Sequence, residues 1–322
     1  MSFIKARIIR VNRGQYTISL NGREAAAALA GKLRHKGVYP VIGDYVGVQE
    51  VADGEAVIHE VMERFSYLCR PDSGGHADGY VKTLLEQPMV ANIDYLFIIT
   101  SLNDDFSVNR IARFAATSIQ GGCKPVVILT KADLCPNKEE FLAQARSMND
   151  AWDVFCVSSY TGEGMDEVRK YLQPGITIGL MGSSGVGKST LVNTLAGREV
   201  MKVSAIRDKD AKGKHTTTHR ELLDINGTYF IDTPGMRGFG LGDTEEGLNE
   251  TFDDIAELVQ CCRFNDCSHN SEPGCAIKTA LKDGKLPAKR WQLYCDLMQE
   301  SSRSKSMALK KKIAMQKKRM GL

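Results

Sequence analysis

The stretch Gly182-Ser183-Ser184-Gly185-Val186-Gly187-Lys188-Ser189 decides the fold. It satisfies the pattern GxxxxGK(S/T), follows an apolar run at residues 176–181 and opens a segment of helical pattern at Lys188. A strand before and a helix after are the context that a phosphate-binding loop requires and a chance glycine-rich turn lacks. Glycines let the backbone curl until its N–H groups face the phosphates, and the helix that follows adds the positive end of its dipole. Lys188 is expected to reach the β- and γ-phosphates and the Ser189 hydroxyl to ligate Mg2+. Gly182, Ser183, Ser184, Gly185, Val186, Gly187 and Thr190 complete the candidate cradle.

Outward from this loop, apolar strands at 95–100, 125–130, 154–157 and 176–181 alternate with helical segments that begin at Val108, Lys138, Met165 and Lys188. Buried strands alternating with helices mean an α/β domain with a mainly parallel sheet. A phosphate loop does not choose between ATP and GTP, but Thr130-Lys131-Ala132-Asp133 ends a strand and resembles the NKxD motif of GTPases. Asp133 is expected to pair with guanine N1 and its 2-amino group; adenine lacks the latter and would leave carboxylate lone pairs unmet. Thr130 stands where that motif usually has Asn. Ser158 and Ser159 end the next strand, where a backbone N–H contacts the guanine oxygen in the Ser-Ala motif.

Downstream, Asp232-Thr233-Pro234-Gly235 matches DxxG, with Asp232 in the Mg2+ shell and the Gly235 N–H as γ-phosphate sensor. Between the two phosphate motifs lies Gly213-Lys214-His215-Thr216-Thr217-Thr218-His219. One of these threonines, taken as Thr217, is expected to complete the Mg2+ shell. Met236 follows DxxG where many GTPases carry a Gln to orient the attacking water, and Met cannot hydrogen-bond to it. His215 is the candidate for that task and His219 the fallback. The order is base motif, Ser motif, phosphate loop, Thr loop, DxxG: a circular permutation of the usual GTPase order. It leaves the spatial site intact, because chain ends relocate readily to surface loops.

The flanks read differently. Strand-and-turn pattern at 6–11, 16–20, 45–51 and 56–61 predicts a small barrel, OB-fold or SH3-like on spacing alone. The basic loop at 31–37 is a candidate phosphate contact, and the Gly- and Pro-containing stretch 70–83 reads as linker. After Glu246 the pattern is helical, interrupted by Cys262, Cys267, His269 and Cys275. Three thiolates and an imidazole make a closed tetrahedral set that favours a structural zinc, with Cys261 able to replace Cys262 by a one-residue slip. The expected units are 1–68, a linker at 69–92, 93–245 and 246–322.

At 322 residues, 43% hydrophobic and 25% charged, the chain has an ordinary globular composition. No apolar run approaches the ~20 residues that span a bilayer, and the first residues carry no secretory pattern, so a cytoplasmic protein is expected. The net charge of +3 is a property of one end: after Ser301 there are eight Lys or Arg and no acid. Without those eight, 34 basic face 39 acidic residues, or −5 for the remainder. A basic tail on an acidic body suits a polyanionic partner, and it equally describes a solvated terminal helix.

Taken together, the permuted order, the stretch 213–218, the DxxG motif and the spacing within 262–275 closely resemble the bacterial family of ribosome small subunit-dependent GTPase A. The resemblance covers nearly the whole chain. It implies an OB-fold barrel, a permuted GTPase domain and a zinc domain. It also implies a late assembly factor that binds the 30S subunit and its 16S rRNA and hydrolyses GTP to GDP and phosphate when stimulated by that subunit. A monomer is expected. A scaffold that holds GTP without turnover would have no need of Lys188, Ser189 and Asp232 together.

Overall fold

The computed structural model describes residues 3–12, 14–51, 54–71, 86–103, 105–203, 221–232 and 244–319. The N-terminal strands are β1 (Ile4–Asn12), β2 (Gln15–Leu20), β3 (Arg23–Leu29), β4 (Tyr45–Glu50) and β5 (Ala56–Val61), with a short helix α1 (Gly31–His35) after β3. They close into a barrel in the order β1-β2-β3-β5-β4, with β3 and β5 parallel and the other pairs antiparallel. That is an OB-fold. Its core is built by alternation: Tyr16, Ile18 and Leu20 face inward on β2, opposite Val46, Val48 and Ile58.

Two features differ from the sequence reading. β3 has the Ala-rich sequence REAAAAL, a weak strand former, yet the two-residue Asn21-Gly22 turn with both φ positive folds it back onto β2. Residues 31–35, expected as loop, form α1: Leu33 is buried while Lys32, Arg34 and Lys36 face solvent.

A hairpin of β6 (Tyr67–Pro71) and β7 (Glu86–Ala91) follows, so the span expected as linker contains paired strands. Next comes the central sheet of β8 (Tyr95–Ser101), β9 (Lys124–Thr130), β10 (Asp153–Cys156), β11 (Thr177–Met181), β12 (Leu222–Ile225) and β13 (Thr228–Asp232). Its order is β10-β9-β8-β11-β13-β12, parallel except for β12 at one edge. The helices are α2 (Val108–Gln120), α3 (Lys138–Arg146), α4 (Met165–Arg169) and α5 (Lys188–Ala196). Alternation along β8 splits the core in two. Phe97 and Ile99 pack with Leu191 and Val192 of α5, whereas Leu96 and Ile98 share the opposite core with Ile111 and Ala115 of α2.

That second core continues into the C-terminal helices α6 (Glu245–Thr251), α7 (Asp253–Gln260), α8 (Ala276–Lys282) and α9 (Ala288–Arg319) through Leu248, Phe252, Ile277 and Leu297. α6 lies against α2, where the Gly247 N–H donates to Gln120 Oε1 at 3.1 Å. One turn from the start of α2, Arg113 pairs with Glu300 of α9 at 2.6 Å.

The barrel is tied to the sheet by Arg7, only 6% exposed. Its guanidinium donates to Thr177 Oγ1 at 2.6 Å and to the Asn92 and Gly43 carbonyls, and lies over the rings of Tyr45 and Tyr229. Arg10 on β1 pairs with Glu221 beside β12.

Candidate nucleotide site and metal centre

In a parallel sheet, ligands bind at the carboxyl ends of the strands. The base motif after β9, the Ser motif after β10, the phosphate loop after β11 and Asp232 at the end of β13 all emerge on that edge. A cleft of about 300 Å³ at the opposite edge, lined by Tyr95, Phe155 and Tyr171, has no part in this arrangement.

Close packing sets the shape of the phosphate loop. A Cβ on Gly182 would lie 2.2 Å from the Ile99 carbonyl oxygen, so only glycine lets the loop leave β11 this close to β8. Lys188, in the first turn of α5, donates from Nζ to the Gly182 and Ser183 carbonyls at 2.8 and 2.6 Å, which folds its ammonium across the loop. Ser189 is half-buried on the same turn, while Ser184, Gly185 and Thr190 are exposed.

The base motif is bonded directly to this loop. Thr130, 4% exposed, donates from Oγ1 to the Val186 carbonyl at 2.5 Å, and Lys131 Nζ donates to the Gly185 carbonyl at 2.9 Å. The residue that departs from the usual Asn therefore points into the phosphate loop. Lys131 sits in the left-handed region at φ 62, a costly conformation for a side-chain-bearing residue, and that turn presents Asp133 to solvent. Ser158 is fully buried; its Oγ accepts from the Tyr160 and Thr161 N–H groups and so shapes the turn rather than facing a ligand. The Ala132 N–H donates to the Val157 carbonyl at 3.1 Å, which holds the two base-recognition turns side by side. Ser159 is half-buried beside them.

Asp232 aligns with Leu180 in the β11–β13 register, beside the phosphate loop, and its Oδ1 is withdrawn from solvent. A carboxylate and the Ser189 hydroxyl are hard oxygen donors of the kind Mg2+ takes. His215, Thr217, His219, Gly235 and Met236 lie outside the described residues. Sequence reasoning missed Arg110, which donates from Nη1 to Ser183 Oγ at 2.9 Å. An arginine in the first turn of a helix carries no local signal, and the contact spans 73 residues.

In the C-terminal module the ligand atoms of Cys262, Cys267, His269 and Cys275 lie within 4.8 Å of one another. Cys262 Sγ is 3.9 Å from Cys275 Sγ, and His269 Nδ1 is 3.6 and 3.5 Å from those two sulfurs. A tetrahedron with metal–sulfur bonds of ~2.3 Å and a metal–nitrogen bond of ~2.0 Å has edges of roughly 3.8 and 3.5 Å, which the Cys262, His269 and Cys275 separations match, and Cys267 completes the zinc-type set within 4.8 Å. Burial works against ionising Cys262, but the Ala276 and Ile277 N–H groups and the neighbouring thiols outweigh it and hold its pKa below the ordinary value. Cys275 caps α8 by accepting from the Lys278 N–H, and the His269 ring packs edge-on against Trp291 of α9. Cys261, the alternative by a one-residue slip, is exposed and outside this set.

A family model described as RsgA GTPase matches residues 61–242. The chain belongs to the RsgA GTPase family. It is 42% identical over 262 residues to the small ribosomal subunit biogenesis GTPase RsgA 2 of Listeria monocytogenes, spanning 81% of this chain and 72% of that protein. Against the protein of the same name from Lactiplantibacillus plantarum it is 39% identical over 306 residues, spanning 93% and 84%. Among solved structures, YjeQ from Thermotoga maritima matches with a TM-score of 0.71 at 24% identity, covering 92% of this chain and 98% of that one. YloQ, described as a circularly permuted GTPase, matches at 0.68 with 25% identity, covering 94% and 96%. As an RsgA GTPase the chain hydrolyses GTP, and its motif order is permuted.

Proposed function

We propose that this RsgA GTPase site serves assembly of the small ribosomal subunit: the chain, a cytoplasmic monomer, binds the maturing 30S particle and its 16S rRNA late in assembly, and the particle stimulates GTP hydrolysis. The observation that carries this reading is the family membership, whose relatives bear the name small ribosomal subunit biogenesis GTPase, joined to an intact Lys188, Ser189 and Asp232. Among the described residues no helix is long and apolar enough to cross a membrane.

The site residues take the following roles. Asp133 selects guanine beside Thr130, Lys131, Ser158 and Ser159. Residues 182–190 hold the phosphates, with Gly235 sensing the γ-phosphate. Ser189 and Thr217 would hold Mg2+, with Asp232 reaching it through water, and the ion would offset charge on the phosphates. A structural zinc is held by Cys262, Cys267, His269 and Cys275. Units 1–68, linked by 69–92 to 93–245, bind RNA and nucleotide, and 246–322 holds the metal and carries the basic tail.

Exposed cations support two RNA contacts: Lys32, Arg34 and Lys36 at α1, and Arg303, Lys305 and Lys310 on α9. The test is co-sedimentation with separated small and large subunits across a salt series. Binding to the small subunit alone is expected, and deleting the chain after Glu300 should weaken it and flatten the slope of log affinity against log salt, since at most eight cations leave the interface. An unchanged slope would make the tail a solvated extension, and binding to the large subunit instead would overturn the reading.

For the attacking water, His215→Ala is expected to abolish most of the subunit-stimulated rate while GTP affinity is kept, because Met236 offers no hydrogen bond there. If His219→Ala loses the rate and His215→Ala does not, the two roles exchange.

A further inference from the structure

We infer that Arg110 is a positioning residue for GTP hydrolysis, holding Ser183 so that the Ser183 carbonyl fixes Lys188; this rests on the GTPase reading of the site. The guanidinium Nη1 donates to Asp105 Oδ1 at 2.6 Å, to the Asp105 carbonyl at 3.1 Å and to Ser183 Oγ at 2.9 Å. Ser183 in turn accepts Lys188 Nζ on its carbonyl at 2.6 Å. Asp105, Arg110, Ser183 and Lys188 thus form one chain of bonds, each donated by an ionised guanidinium or ammonium and so charge-assisted.

The Asp105–Arg110 end of this chain is anchored by further bonds. Arg110 sits in the first turn of α2, where its own N–H donates to the Ser107 side chain that caps the helix. Asp105 is fixed on its other side by Thr100 Oγ1 and by its N–H to Asn103 Oδ1. The phosphate loop is therefore gripped from two sides. The base motif holds Gly185 and Val186 through Lys131 and Thr130, and α2 holds Ser183, whose carbonyl accepts the Lys188 ammonium.

The chemistry makes that position matter. In hydrolysis the water oxygen bonds to the γ-phosphorus as its bond to the β–γ bridging oxygen breaks; the bridging oxygen keeps the electron pair and leaves on GDP, and the water's proton goes to the phosphate product. Negative charge builds on the bridging and γ oxygens in the transition state. A cation displaced by a fraction of an ångström loses much of its effect there, while the ground-state phosphates are still held by many backbone N–H groups. Loss of Arg110 should accordingly fall on kcat more than on binding.

The experiment measures steady-state GTP turnover, affinity for a fluorescent GDP and thermal midpoint for Arg110→Ala, Arg110→Lys, Ser183→Ala and the Arg110→Ala/Ser183→Ala double variant, with Lys188→Ala as reference. Arg110→Ala is expected to lower kcat about tenfold, with the KM for GTP and GDP affinity changed by less than about threefold and the thermal midpoint kept. Arg110→Lys should recover part of the rate, and the double variant should be no worse than the poorer single one. The inference fails if Arg110→Ala stays within about twofold of the parent, if the two losses multiply, or if GDP affinity and melting fall along with kcat, as they would for a merely structural arginine. Retained turnover in Lys188→Ala would instead reject the nucleotide-site reading itself.

Discussion

Lys188→Ala is expected to lower kcat for GTP hydrolysis by about 10²–10³-fold, the loss typical when a preorganised charge-stabilising donor is removed from an active site. Two carbonyls on one side of the loop, at 2.8 and 2.6 Å, hold the Lys188 ammonium, so its position is set by backbone geometry rather than by a flexible stem. That geometry also predicts that Lys188→Arg will not restore the rate: a planar fork of five donors does not seat where a compact ammonium meets two converging carbonyls. Single-turnover phosphate release at saturating GTP is the measurement. Turnover of the alanine variant within a few-fold of the parent would remove the phosphate loop from the mechanism.

The second large effect concerns the metal. Cys275→Ala is expected to reduce bound zinc from about one per chain to near zero and to unfold the C-terminal module locally. Structural zinc contributes on the order of 10 kcal/mol to small zinc modules, against ~1 kcal/mol for a helix cap, so loss of the metal and not of the α8 cap sets the outcome. Cys275 is 3% exposed and lies in the same continuous core as Ile277 and Leu297, so the loosening should reach α8 and α9 first. Metal analysis with hydrogen exchange on those helices measures it. Cys261→Ala is the control, because that thiol is exposed and outside the ligand set: it should leave metal content unchanged. Full zinc in Cys275→Ala would discard this ligand assignment.

How far each feature could be read from the sequence depends on how local its cause is. The phosphate loop and the Cys/His set are written in consecutive or nearly consecutive residues, and the strands of the sheet show because burial on both faces makes each a continuous apolar run. β3 escaped because alanine carries little strand preference and pairing with β2 decides its conformation. The β6–β7 hairpin escaped for a similar reason: its strands pair with each other across residues whose composition reads as a turn. Thr130 looked like a lost amide in the sequence, whereas its hydroxyl meets the Val186 carbonyl, a contact 56 residues away that no local pattern announces.

The buried Arg7 has a consequence for how a large partner is recognised. Because its guanidinium bonds to residues of both the barrel and the sheet, the α1 cations and the nucleotide edge are presented at a set separation instead of on a loose tether. Two contacts presented in this way reinforce each other with a high effective concentration only on a surface whose own two sites are spaced to match, and gain nothing on one whose sites are not. Under the proposed assembly role the barrel and the sheet together would act as a caliper, and a particle whose two landmarks have not yet reached their mature spacing would be held by one jaw alone.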